Sequence, residues 1–576
     1  MAAKTLMIQG TASSVGKSLL AAALCRLLRQ DGLRVAPFKS QNMALNSFVT
    51  REGGEMGRAQ VVQALAAGVE PSVDMNPILL KPEADHRSQV VVLGRARASM
   101  GFRDYRSLRH ELLGVVEGAL QRLRAAYDVV VIEGAGSPAE INLREGEIVN
   151  MRIARMAGAP VLLAGDIDRG GVFAHLVGTL ALLEPDERAL VRGFLINKFR
   201  GDASLLQPGI DFLERRTGVP VVGVIPYLAD VRLPEEDSVA LEGPHPLAPS
   251  PPTWKGGAPA AIVDVVVVHL PHVANFDDFD PLAGEPGVAV RYVRAPEEVG
   301  EPDLIVVPGT KSTVADLRWL RERGLAEAIV ARVRRGTPAI GICGGYQMLG
   351  HAIEDPLGVE SAPGDCVDGL GLLPVRTVFA PEKATHQVRA RVLEARGLLT
   401  GCAGHAIRGY EIHMGRTAAL DNPGGTLGPA FALESPAGAP ATDLSAGSEG
   451  SELTLSAAKG QAGQAQRPTT DGMLNQDGRV LGTYLHGLFD NAGLRRALLH
   501  NLAQAKGLAG APETAAWGRL ASLDEQLDRL AAAVRASVDV GRIYEMAGLR
   551  LRDDRLGPAQ RAATTGDRSY ATDRTG

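Results

Sequence analysis

"MIQGTASSVGKSLLAAALCRLLRQDG" (residues 7–32) reads as strand, glycine loop and helix. Gly16, Lys17 and Ser18 open a stretch in which Leu20, Leu24, Leu27 and Leu28 recur at helical spacing, and Gly32 is placed to stop it. A loop that enters a helix N-terminus aims free backbone N–H groups at an anion. Gly10, Thr11 and Gly16 would then line the phosphates of ATP. Lys17 would reach the β- and γ-phosphates, and the Ser18 hydroxyl would bind Mg2+. The loop is a variant: Gly10 and Gly16 enclose five residues, where the usual phosphate loop has four before its Gly-Lys pair.

Outward from this loop, short apolar runs alternate with amphipathic stretches. "TLMI" (5–8), "DVVVIEG" (128–134), "PVLLAGD" (160–166), "GFLINK" (193–198) and "PVVGVIP" (220–226) are continuous rather than alternating. Runs of this kind suit strands buried on both faces, in a parallel sheet covered by helices. Functional side chains belong at the ends of such strands. Glu133 ends one, before Gly-Ala-Gly, where a Mg2+ ligand belongs beside a phosphate loop. Asp166 and Asp168 stand at the mouth of another, as metal or substrate ligands or as caps of the next helix. Asn197 ends a third, where its amide would read adenine or cap a helix.

A second series of runs follows: "IVDVVVVHL" (262–270), "VAVRYV" (288–293), "DLIVVPG" (303–309), "PAIGIC" (338–343) and "VLGTYLHG" (480–487). Here "PAIGICGGYQMLG" (338–350) sets a cysteine between an apolar run and two glycines. A sharp strand-to-helix turn would expose the Cys343 thiol, favour its thiolate form, and point following N–H groups at a developing oxyanion. Gly344 and Gly309, the latter from "VVPGTKST" (306–313), are the expected oxyanion donors. His486 in "GTYLHGLFDN" (482–491) is the expected acid and base. His413 in "GYEIHMGRT" (409–417) weighs less than His486, and reads at least as well as a plain strand-end polar residue.

The first half resembles the dethiobiotin synthetase-like ATPases, which activate a carboxylate by phosphorylation. The second half resembles class I glutamine amidotransferase domains of the cobyric-type subgroup. "FKSQNMALNSFVTREGGEMGRAQ" (38–60), "MNPILLKPEADHRSQVVVLG" (75–94), "EGAGSPAEINL" and "DRGGVF" are similar to segments of the cobyric acid synthase family. That resemblance runs from about residue 4 to about residue 500. It implies an ATP- and glutamine-dependent ligase of cobalamin biosynthesis, with Mg2+ as metal and L-glutamine as nitrogen source. It also implies that the substrate is adenosylcobyrinic acid a,c-diamide, amidated at four carboxylates to adenosylcobyric acid. Cobyrinic acid a,c-diamide synthase shares both domain types and is the nearest alternative. A nucleotide-regulated binding protein with an inactive glutaminase domain is another. Most class I glutaminases carry a glutamate two residues after the histidine. Leu488 stands there in this chain, as the subgroup's lack of that glutamate implies, and what orients His486 stays open.

These readings give an α/β fold of two doubly wound parallel-sheet domains, a P-loop synthetase domain and a flavodoxin-like glutaminase domain. The expected boundaries are 1–242, a Pro/Gly-rich linker at 243–261, 262–500 with a low-complexity insertion at 434–468, and a helical segment with a disordered tail at 501–576. The chain has 576 residues, a net charge of −5 and four cysteines without zinc-type spacing. That balance offers no basic footprint for nucleic acid. No apolar run reaches the roughly 18 residues of a membrane span. The N-terminus shows no signal-peptide pattern, so the expected location is cytoplasmic.

Overall fold

In the strand Lys4–Gly10 every residue after the first is buried, and Val129–Glu133 and Val161–Asp166 are buried throughout. The computed structural model that shows this describes residues 2–84, 87–101, 105, 108–144, 146–234, 262–420, 428–434 and 469–550. The 243–261 linker, the insertion beyond residue 434 and the tail from 553 lie outside the described residues. The described residues fall into two units. One holds those up to 234, with 272–277 and 520–550; the other holds 262–271 and those from 278 to 519.

The first unit is built on a six-stranded sheet in the order Val221–Pro226, Val191–Phe199, Val161–Asp166, Lys4–Gly10, Val129–Glu133 and Val35–Phe38. All of its pairings are parallel. Successive side chains of one strand serve opposite faces. Met7, Val130 and Ile132 join a core shared with Leu112, Val116 and Leu120 of the helix Arg109–Ala126. Leu6, Ile8, Val129 and Val131 join another, shared with Leu20, Leu24, Leu27 and Leu28 of the helix Lys17–Gln30. Helices therefore cover both faces, which is why the strands read as unbroken apolar runs. The unit also carries a small sheet of Gln41–Met43, Ile78–Ala84, Arg87–Val92 and Arg95–Gly101. The helix Leu523–Ser537 belongs here too. Ser522 caps it, accepting from the Glu525 N–H at 3.2 Å while Glu525 accepts from the Ser522 N–H at 2.7 Å. It lies on Lys17–Gln30, where buried Arg26 holds Asp524 at 2.8 Å and Asp528 at 2.7 Å.

The second unit has an 11-stranded sheet. Its core is parallel, in the order Val288–Val293, Val263–Val268, Leu304–Val307, Ala339–Ile342 and Val480–Thr483. Beyond Val480–Thr483 the sheet turns antiparallel through Thr470–Leu474, Pro429–Leu433 and the long strand Val375–Val392, which pairs with Ala406–Ala419. The long pair was not foreseen, because charged and polar residues interrupt its apolar ones and its burial is mixed rather than continuous. It carries Tyr410, Ile412 and His413 to the nucleophile.

Candidate active sites

In the first unit the strand Lys4–Gly10 delivers the chain to the loop, and Gly16 adopts φ 97°, the left-handed conformation that glycine tolerates. A Cβ on Gly16 would stand 2.2 Å from the Asn197 amide nitrogen. That nitrogen donates to the Val15 carbonyl at 2.8 Å. Asn197 thus braces the loop from within a strand and caps no helix. Lys198 adds a second brace, from its ammonium to the Ser14 carbonyl at 2.7 Å.

Lys17 is buried, and its ammonium donates to the carbonyls of Ala12 at 2.9 Å and Gly136 at 3.1 Å. The Thr11 hydroxyl is buried and has no partner among the described residues, as suits a group awaiting an anion. The Ser18 hydroxyl donates to Glu133 Oε1 at 2.8 Å. The structure thereby brings together the two side chains expected to hold Mg2+. Among the described residues no cluster of three His, Cys, Asp or Glu could hold a metal. Two hard oxygen donors beside a phosphate loop fit an ion that fills its other positions with phosphate oxygens and water.

Three partners of Glu133 escaped the sequence reading. Lys39 donates to Oε1 at 3.0 Å, while Gln63 and Gln60 reach Oε2 at 2.5 and 3.4 Å. Lys39 and Gln60 lie in the quoted 38–60 segment, and the glutamines are three residues apart on the helix Arg58–Ala67. Their spacing on one face was the available signal. Asp166 and Asp168 cap no helix. Asp166 takes Lys198 at 2.9 Å, Asp168 takes Arg200 at 2.9 Å, and the following helix begins at Gly171 without a side-chain cap.

In the second unit Cys343 sits between Ala339–Ile342 and the helix Gly344–Leu349 at φ 53°, ψ −111°. This backbone is strained for a residue with a Cβ, a feature that clusters at functional sites. The glycines are required by contact. A Cβ on Gly345 would lie 1.9 Å from the Val307 carbonyl oxygen, and one on Gly344 2.7 Å from the Thr310 methyl. The Gly309–Thr310 loop therefore packs against Gly344, bringing the two expected oxyanion donors to one place. The thiol contacts the Ile412 carbonyl at 3.3 Å.

His486 is held from several sides. Its backbone bridges Tyr410 (N···O 2.9 and 3.2 Å), and its ring stacks on the Tyr410 ring at 5.4 Å. Its Nδ1 meets Asp278 Oδ2 at 2.7 Å, and Asp278 Oδ1 accepts from the Gly487 N–H at 2.8 Å. Burial disfavours charge on the ring, but the Asp278 carboxylate outweighs burial and Cys343 adds to its effect, so His486 is pushed up to about 10. Asp278 is the residue the sequence reading could not supply. It lies in "NFDDFD", over 200 positions from the histidine, so only the fold brings the two together. His413 stacks on Tyr484 at 3.7 Å, and burial brings it down to about 3, so it stays neutral. Gln347 ties this wall together, donating to the Met414 carbonyl at 2.9 Å and the Tyr484 hydroxyl at 3.1 Å.

Residues 6–240 match the model of the CobQ/CobB/MinD/ParA nucleotide binding domain, and residues 264–428 that of the CobB/CobQ-like glutamine amidotransferase domain. The chain is 54% identical over 564 residues to "Cobyric acid synthase" of Sorangium cellulosum, covering 96% of this chain and all of the relative. It is 51% identical over 542 residues to the protein of that name from Dehalococcoides mccartyi, covering 94% and 98%. It is 50% identical over 548 residues to the one from Moorella thermoacetica, covering 95% and 98%.

Proposed function

The chain belongs to the cobyric acid synthase family, and on that premise we propose how its two sites divide one amidation. It is a glutamine-dependent amidotransferase that uses ATP. The proposed substrate is adenosylcobyrinic acid a,c-diamide, four of whose carboxylates, b, d, e and g, become carboxamides in adenosylcobyric acid.

In the glutaminase half, the Cys343 sulfur attacks the side-chain amide carbon of L-glutamine. The carbonyl oxygen becomes an oxyanion facing the N–H groups of Gly309 and Gly344. His486, kept protonated by Asp278, gives its proton to the departing nitrogen. The C–N bond breaks, leaving a thioester and ammonia. His486 then takes a proton from water, which hydrolyses the thioester to glutamate and frees the thiol. Asp278 touches no substrate. It is a positioning residue that fixes the ring and its protonation.

In the synthetase half, Gly10, Thr11, Gly16 and Lys17 would hold the phosphates of ATP, with Asn197 on the nucleotide side. ATP supplies the phosphoryl group that turns a carboxylate into an acyl phosphate, which ammonia can displace. Ser18 and Glu133 would hold Mg2+, which neutralises phosphate charge. Lys17 must leave its two carbonyl partners to reach an anion, and Lys39 stands ready to balance charge beside Glu133. Among the described residues no helix is long and apolar enough to cross a membrane; a cytoplasmic location is part of the proposal.

What supports the reading is an ordered nucleophile, acid and carboxylate in the same chain as a braced phosphate loop. The test is to supply the purified protein with glutamine, ATP and either cobyrinic acid or its a,c-diamide. Amidation of the diamide is expected. Amidation of cobyrinic acid at two positions only would show the alternative synthase.

A further inference from the structure

In the second unit, Asp355 ends the strand Ala352–Asp355 and is buried. It accepts from the N–H groups of Val359, Glu360 and Ser361 at 2.7, 2.8 and 2.7 Å, and from the Ser361 hydroxyl at 3.1 Å. Four donors on one carboxylate fix the turn that follows the strand. That turn carries Glu360 to the start of the helix Thr313–Glu322, where its Oε1 accepts from the Val314 N–H at 2.9 Å. Thr313 belongs to the wall of the glutaminase site. Its hydroxyl lies 3.2 Å from Gln347 Oε1, and 3.2 Å from where a Cβ on Gly344 would stand. The same hydroxyl bonds the Glu360 carboxylate. One hydroxyl proton cannot serve both Gln347 and Glu360, so acceptor capacity is left between them. The Glu360 carboxylate thus stands within about 7 Å of the point beside Gly344. Asp316, on the same helix turn, is already engaged by the Thr310 hydroxyl. Burial pushes Glu360 up to about 7, while the Val314 N–H and Lys311 pull it down. A carboxylate in that position gains from a cation brought to it.

We propose that Glu360 receives the α-ammonium group of L-glutamine, and so selects an amino-acid amide over other primary amides; this rests on the proposed function. In extended glutamine the amide carbon lies about 5 Å from the α-nitrogen. With the amide oxygen at the Gly344 N–H, an ammonium bonded to Glu360 sits at the other end of that span. The ammonium brings three donors, which fill the acceptor capacity left beside Thr313 without displacing the Val314 N–H. Its bond to a carboxylate replaces the water it loses on entering the site. Glu360 touches neither the reacting amide nor the thiol. It sets how tightly and which substrate binds, and leaves the chemistry to Cys343 and His486.

The test is glutamine hydrolysis, with ATP and the diamide present, by the full chain carrying Glu360→Gln. The substitution keeps an oxygen for the Val314 N–H and removes the charge. KM for L-glutamine should rise by about tenfold or more, while kcat and the melting temperature stay as in the parent. The second substrate is glutaramate, the same amide without the α-amino group. The parent should bind it about tenfold or more weakly than glutamine, and Glu360→Gln should bind it as the parent does. Where glutaramate is not turned over, its inhibition constant against glutamine replaces KM in the comparison. Glu360→Asp keeps the charge and should recover part of the preference for glutamine. An unchanged glutamine KM in Glu360→Gln, or an equal loss on both amides, would overturn the inference while leaving the proposed function intact. A parent protein that hydrolyses no glutamine would overturn both.

Discussion

The turn at Cys343 and the loop from Gly10 to Ser18 are both strand-to-helix turns at the ends of parallel strands, but they are finished to different degrees. Around Cys343 every partner is already in position: a backbone at φ 53°, a histidine held by Asp278, and glycines that close contact demands. Around Lys17 the groups that would meet phosphate are turned on the loop itself, toward Ala12 and Gly136, and Glu133 is surrounded by donors from four side chains. Chemistry that only needs a nucleophile aligned is served by rigidity. A site that receives a polyanion keeps its cation occupied until the anion arrives, because a buried charge without partners is costly.

The sharpest way to separate the two sites is to remove each in turn. Cys343→Ala should abolish amidation from glutamine and leave amidation from high ammonium intact. Lys17→Ala should abolish both, by about 10²–10³ in rate if it stabilises charge as one such group usually does. Full glutamine-dependent activity in the first variant, or near-normal ammonium-dependent turnover in the second, would erase the distinction drawn here.

Asp278→Asn comes next. It keeps the shape of the side chain and removes its charge, and glutamine hydrolysis should fall by about 10²-fold or more. The alkaline limb of the pH profile should also move down, toward the ordinary histidine range, because the carboxylate that raises His486 is gone. A merely structural aspartate would leave that limb where it is. Ammonium-dependent amidation should be untouched.

The same pair makes a smaller prediction about stability. His486 is raised from 6.5 to about 10 in the folded protein. Its contribution is therefore fully present below about pH 6.5 and is lost as pH rises through about 10. Melting temperature should decline across that window, and Asp278→Asn should flatten the decline. Equal slopes in parent and variant would show that the pair is not coupled to folding.

Smallest is Asn197→Ala. It removes one brace on the phosphate loop, worth about 0.5–1.5 kcal/mol. Isothermal titration should show ATP affinity reduced by roughly 2- to 12-fold, with glutamine hydrolysis unchanged. A loss limited to discrimination between adenine and guanine nucleotides would assign Asn197 to the base instead.

Most of the fold was legible because a parallel sheet buries strands on both faces, and burial writes itself as unbroken runs such as "DVVVIEG" and "IVDVVVVHL". Cys343 and the phosphate loop were legible because each is a local turn whose glycines stand beside the functional side chain. What could not be read was what the fold assembles from afar. Asp278 meets His486 across 208 positions, and Lys39 meets Glu133 across 94. The strand pair Val375–Val392 and Ala406–Ala419 was missed for another reason: charged and polar residues break up its apolar ones and its burial is mixed, so it lacked the unbroken run the buried strands carry.

The most direct measurement is the corrinoid product formed by the purified protein from adenosylcobyrinic acid a,c-diamide, analysed by mass spectrometry. It is made once with glutamine and ATP, and once by Cys343→Ala with ammonium and ATP. The account predicts four carboxylates converted to carboxamides in both reactions, and no conversion in either when ATP is withheld. A diamide returned unchanged by the parent protein, or converted without ATP, would contradict it.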